Sequence, residues 1–162
     1  MTTWHTVAHV ALDPLPLDWR DQLATRLGRR PRRIGICAEL ALYGARLCLD
    51  AAQEPVLPSG ALLRMASFNG LLAITQAIAE QARTGLPMPF AFMQSQPSQV
   101  LAALSQHLAW QGDARFVLCR DAHALRQLAQ LECGAAGVLI GWVEDQRTEW
   151  WRLVPDQLAA ST

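Results

Sequence analysis

The spacing of hydrophobic and polar positions changes in a regular succession along this chain. Residues 4–12 alternate loosely, as a strand does, and Pro14 and Pro16 stop the pattern. Asp18 is placed to cap a short helix through Leu27, which Gly28 ends. Over 35–52, Leu40, Ala41, Leu47, Cys48 and Ala51 recur at helical spacing, and Gly44 on the same face permits close packing. Residues 54–60 hold two prolines and read as loop. Residues 61–68 fit a buried strand, closed by an Asn69-Gly70 turn. A helical run over 71–83 sets Ile74, Ile78 and Ala82 on one face, with Gly85 beyond its end. The apolar piece 87–95 carries two prolines and is predicted extended, a loop or an edge. Pro97 suits the first turn of a helix reaching to about Trp110, because its missing N–H costs nothing there. There follow a strand over 113–119, short and apolar enough to be buried, a helix over 121–132, a strand over 136–143 and a last strand near 149–154. Alternating strands and helices predict an α/β domain, a sheet with helices packed on it, spanning 1–162 as one unit.

Composition narrows the picture. Of 162 residues, 51% are hydrophobic and 17% charged, which excludes a disordered chain and favours a well-buried interior or an interface. The formal net charge is zero, so the whole-chain field offers nothing to nucleic acid or to an anionic membrane. All 14 basic residues are arginine, suited to planar, multidentate contacts or simply a product of genomic base composition. Cys37, Cys48, Cys119 and Cys133 lie in apolar surroundings without paired spacing, as buried thiols do. With no signal-peptide pattern and no uninterrupted apolar span, a cytoplasmic location is expected.

The chemistry concentrates in 112–125, where the apolar stretch Phe116-Val-Leu-Cys119 runs into a helix starting near Asp121. Such a junction pushes a side chain out of the backbone bend. Asp121 stands where helix caps stand, and a carboxylate there is stabilised by exposed N–H groups. Cys119 falls two residues earlier, on the side of Val117 and facing the core. His123 lies two residues beyond Asp121, a spacing that does not bring side chains together on a helix. His107 shares a helical face with Leu104 and Trp110 and reads as partly buried. His5, His9 and Asp13 are spaced four apart on a strand, about 13 Å per step, too far for one ion; no metal and no cofactor are expected. Residues 29–33 hold Arg29, Arg30, Arg32 and Arg33 around Pro31, either a solvated loop or a docking surface for an acidic partner.

Residues 112–125 resemble the nucleophile turn of the β-ketoacyl synthases of the thiolase-like superfamily. Asp121-Ala-His-Ala-Leu125 falls on their Cys-Ala-Ser-Ser-Leu, with Gly112 on a preceding glycine. Other segments resemble synthase elements in the same order: the Arg-rich start and Ala/Leu-rich helix over 32–52, the strand and turn over 61–70, and Ala-Gly-Val-Leu-Ile-Gly-Trp-Val-Glu over 136–144. The likeness covers roughly 30–145. It implies a thiolase-like, half-synthase mixed sheet with Asp121 where the acyl-carrying cysteine belongs. Only 17 residues follow Asp145, too few for the synthase half that carries the catalytic histidines. The chain is therefore similar to the shortened, Cys-less chain-length factors and to the ketosynthase-like domains of aryl-polyene and related clusters.

That resemblance implies no catalytic residue. It implies a non-catalytic subunit pairing with a full-length β-ketoacyl synthase in fatty-acid or polyketide assembly, an acyl carrier protein docking on Arg29, Arg30, Arg32 and Arg33, and an interface or acyl tunnel involving Phe90, Phe92, Met93, Phe116 and Leu118. Leu71, Ile74 and Ile78 join that apolar inventory, and Trp150-Trp151 is a second patch; ordinary core explains either set as well. Two other readings stand beside this one. One is a small acyl hydrolase or transferase using Asp121 with His123; the other is a homo-oligomeric acyl-binding module.

Overall fold

A computed structural model describes residues 3–86, 88–132 and 134–156. Cys133, and Pro87 at the head of the apolar piece, lie outside the described residues. In chain order the elements are β1 (Trp4–Leu12), α1 (Trp19–Leu27), α2 (Ile36–Ala51), β2 (Leu62–Ser67), α3 (Leu72–Arg83), α4 (Pro89–Gln94), α5 (Pro97–His107), β3 (Ala114–Leu118), α6 (Ala122–Leu131), β4 (Val138–Glu144) and β5 (Arg147–Pro155).

The five strands form one mixed sheet in the order β1-β5-β4-β2-β3. Strand β5 runs antiparallel to β1 and β4, while β4, β2 and β3 are parallel. Side chains alternate across it. Leu139 and Val143 of β4 join a core built with α1, α2 and α5 on one face. Val138, Ile140 and Trp142 join a second core with Leu125 and Ala129 of α6 on the other. The result is three layers, helices on both faces of the sheet.

Helix α2 is the centrepiece, with ten of its sixteen residues buried. Its approach to the sheet depends on Gly44, where an added Cβ would lie 2.3 Å from Cδ1 of Trp150. Gly141 of β4 meets the same indole, at 2.3 Å from Cζ2. Trp150 thus lies in a slot between two glycines, its Nε1 donating to Thr148 Oγ1 at 2.8 Å. Two buried arginines brace the sheet. Arg152 forks onto Glu54 at 2.6 and 2.9 Å. Arg64 bridges Asp113 and Glu132, which ties β2 to the start of β3 and the end of α6. Their planar, multidentate geometry is one that lysine does not reproduce.

Three expectations change. The piece predicted extended over 87–95 contains the helix α4; Pro89 occupies its first turn, where proline is as acceptable as at Pro97. Helix α5 stops at His107 rather than near Trp110. Ala109 takes a left-handed conformation (φ 50°), and the chain then turns Trp110 inward, where its Nε1 donates to Pro58 O at 3.0 Å. Strand β3 is not buried: it is an edge strand, and Leu118 is 74% exposed.

Candidate functional site

Because β2, β3 and β4 are parallel, their C-terminal ends meet at one rim of the sheet, where open α/β sheets place their ligands. Three turns converge there: Ser67-Phe68-Asn69-Gly70 after β2, Cys119-Arg120-Asp121 after β3, and Glu144-Asp145 after β4.

Glu144 organises the rim. Its carboxylate is buried and accepts the backbone N–H of Phe68 at 2.7 Å and of Asn69 at 2.8 Å. Ser67 Oγ accepts from Gly70 N–H at 2.7 Å, and a Cβ on Gly70 would stand 2.4 Å from that hydroxyl. The first turn is thereby fixed from both ends. Arg120 lies over the Phe68 ring, 4.7 Å from its centroid, and Arg147 over Trp142 at 4.2 Å. These groups, with Asp13, line an open cleft of about 300 Å³.

Asp121 sits at the junction of β3 and α6 as its spacing predicts. It is the N-cap of α6, and its Oδ1 accepts from the His123 backbone N–H at 2.9 Å. The carboxylate is held by the backbone of the helix it starts. The His123 ring pairs instead with Gln127, at 3.1 Å from Nε2. Cys119 lies one residue past the strand, on the Val117 side as expected, but half-buried rather than enclosed. Its Sγ donates to Asp121 O at 3.1 Å. Burial pushes the other two described thiols, Cys37 and Cys48, up to about 12, with the acids Glu144 and Asp145 adding to the effect at Cys37. Neither is a nucleophile near neutral pH.

A second, apolar cavity of about 320 Å³ opens beside the first, walled by Ser67, Phe68, Leu71, Pro97, Phe116 and Leu118. The structure thus divides the candidate apolar residues. Phe116 and Leu118 line this cavity on the β3 edge. Phe90 and Met93, on α4, line a separate notch with Arg33 and Ile34. Phe92 is 56% exposed. Leu71 joins the β3 cavity, whereas Ile74 and Ile78 are half-buried on α3. Trp150 and Trp151 are core, one on each face of the sheet. Arg29, Arg30 and Arg32 line a cleft on another side of the molecule, facing His107.

Several contributors to the rim, Glu144 and Phe68 foremost, were not singled out as site residues from the sequence. Glu144 enters there only as the last residue of the stretch over 136–144 that resembles a synthase strand, and Phe68 as an aromatic before a turn. Their meeting depends on the parallel register of β2 and β4, which no local pattern carries.

Among the described residues, no helix is long and apolar enough to cross a membrane. No family model matches the chain, and no curated protein matches it in sequence. Among solved structures, it is similar to a chain of the ketosynthase ApeO in complex with its chain length factor ApeC, from Xenorhabdus doucetiae. The TM-score is 0.62 at 14% identity, over 96% of this chain and 79% of that one. The fold, a five-stranded mixed sheet between helical layers, is one that this chain shares with a component of a ketosynthase complex.

Proposed function

We propose that this chain is a non-catalytic, chain-length-factor-like subunit that pairs with a β-ketoacyl synthase and contributes contact surface and apolar lining. The observation that carries the reading is Asp121. In the synthase frame that the sequence resembles, this corner belongs to the acyl-carrying thiol. Here it holds a carboxylate committed to the first turn of α6. An acyl group on it would be an anhydride, which water opens readily, and Cys119 already directs its thiol to Asp121 O.

Two features support association as the contribution. Among the described residues, no strand pairs with the outer side of β3, and an open edge is a template for another chain. Leu118 and Phe116 line an apolar cavity on that edge, large enough for side chains or part of a hydrocarbon chain. The fold-level likeness to a chain of a ketosynthase–chain length factor complex points the same way.

The test is incubation with labelled malonyl- and acyl-carrier protein, alone and with a full-length β-ketoacyl synthase from the same organism. The chain alone should neither condense nor acquire label, and it should co-purify with the synthase. Stable acylation at Asp121 would overturn the proposal.

A further inference from the structure

The fourteen arginines sort by their partners. Eight reach a carboxylate within 4.0 Å. Arg120 and Arg126 lie over the rings of Phe68 and Trp151. The remaining four, Arg29, Arg30, Arg32 and Arg33, have neither kind of partner among the described residues. They are also the four that follow one another in sequence. Among the described residues, the arginines with neither a carboxylate nor a ring as partner are thus gathered in one joint, between α1 and α2.

The joint is a shaped one. Gly28 (φ 70°) ends α1, Arg33 is itself in the left-handed region (φ 62°), and Gly35 (φ 84°) leads into α2. A side chain other than glycine, asparagine or aspartate is uncommon there, and it marks a backbone whose course is imposed by its surroundings. Pro31 is buried at the middle of the bend while the four arginines stay exposed around it. Arg29, Arg30 and Arg32 form one wall of a cleft of about 440 Å³; Gln106 and His107 of α5 form the other. Among the described residues, no carboxylate lines it. Burial, and then the Arg29 charge, hold the His107 imidazole below its ordinary pKa, as expected beside uncompensated positive charge.

The cleft does not end at the arginines. Ile34 and Gln106 also wall the neighbouring notch of about 110 Å³, which adds Arg33, Phe90 and Met93. A basic mouth therefore leads over Ile34 into a small recess of mixed lining, where Phe90 and Met93 stand beside Gln94 and Gln99. Guanidinium forks hold oxyanions by two donors at a time, and a concave site of this size suits a small molecule better than a flat protein surface.

We propose that the α1–α2 joint binds a phosphate ester bearing a short hydrocarbon group, the phosphate between Arg29, Arg30 and Arg32 and the hydrocarbon over Ile34 toward Phe90 and Met93. This site is separate from the rim at Asp121, and it stands whether or not the chain pairs with a synthase. The recess takes only the first few carbons of the hydrocarbon group, and the ligand proposed is a soluble ester.

Calorimetric titration of the whole chain at low salt with n-hexyl phosphate and with inorganic phosphate tests it. The hexyl ester should bind about tenfold more tightly than phosphate, a difference of one decade in Kd. The double variant Arg30→Glu/Arg32→Glu should lose about tenfold or more for both probes. Both positions are exposed, and circular dichroism checks that the variant is folded. Arg83→Glu, on exposed α3, should bind as wild type does. Phe90→Ser should keep phosphate binding and lose the advantage of the hexyl ester. Absence of saturable hexyl phosphate binding, binding unchanged by the double charge reversal, or a hexyl preference that survives Phe90→Ser would overturn the proposal. So would binding confined to phosphatidate vesicles or to an acidic carrier protein.

Discussion

The two flanks of the sheet are built on opposite principles. Around β4 and β5, most positions are packed from within the chain. Trp150 lies between Gly44 and Gly141, α2 buries most of its surface, and all seven residues of β4 are buried. On the other flank, α3 and α4 contain no buried residue. Leu72, Phe92 and Met93 are each about half exposed there, and Leu118 faces out from the edge of β3. Both flanks are apolar in sequence, but one closes its own core while the other leaves apolar surface uncovered. A patch of that kind marks an interaction site more often than an accident of folding. On the proposed reading, stability and association reside in different parts of this molecule, and substitutions should separate them.

The largest effect is expected on the closed flank. Gly141→Ala drives a methyl into the Trp150 indole from a strand that cannot retreat, and overpacking of this kind costs about 3 kcal/mol. Urea denaturation measures it, and Gly44→Ala should behave similarly. The only strong effect expected toward the open flank is at its hinge. Arg64 is buried, but Asp113 and Glu132 are partly solvated, so Arg64→Met should cost about 2 kcal/mol rather than the full price of a buried ion pair.

That contact also sets a pH dependence. The Arg64 hydrogen bond holds the Asp113 carboxyl below its ordinary 3.8. A depressed carboxyl adds stability that is present above the ordinary value and is lost as pH falls through the folded one. Acid unfolding below about pH 4 should therefore be shallower in Arg64→Met than in wild type.

At the rim, Asp121→Ala removes a cap and should lower stability by about 1 kcal/mol, whereas Asp121→Asn keeps an acceptor and should change it by only a few tenths. A larger loss in Asp121→Asn would mean that the charge does something beyond capping. The smallest perturbation is chemical labelling. Among the described thiols, Cys119 should react with a thiol reagent in the native state, while Cys37 and Cys48 should wait for unfolding. Mass spectrometry of the labelled peptides distinguishes them.

The sequence carried the closed flank better than the open one, for a physical reason. Buried elements impose periodicity on themselves, so the strand of 138–144 and the helix of 36–51 are visible as patterns. The role of Gly44 in close packing was legible too. Helix α4 was not, because a proline reads alike at a strand edge and in a first helical turn. The edge position of β3 was hidden as well, since strand order is a property of the whole sheet and Phe-Val-Leu-Cys looks like any buried strand. At the site, Asp121 was legible because a cap is a local device. The Glu144 clamp and the cleft joining Arg30 to His107 were not, because each arises from elements distant in sequence.

The central claim is that the open flank is an association surface organised by β3. Sedimentation velocity of the chain mixed with a full-length β-ketoacyl synthase from the same organism tests it most directly, with wild type beside Leu118→Arg. Leu118 is exposed, so the substitution should leave the isolated chain's stability within about 0.5 kcal/mol. The account predicts a stable complex with wild type and none with Leu118→Arg. Wild type that stays free of the synthase, or a complex that Leu118→Arg forms equally well, would contradict it.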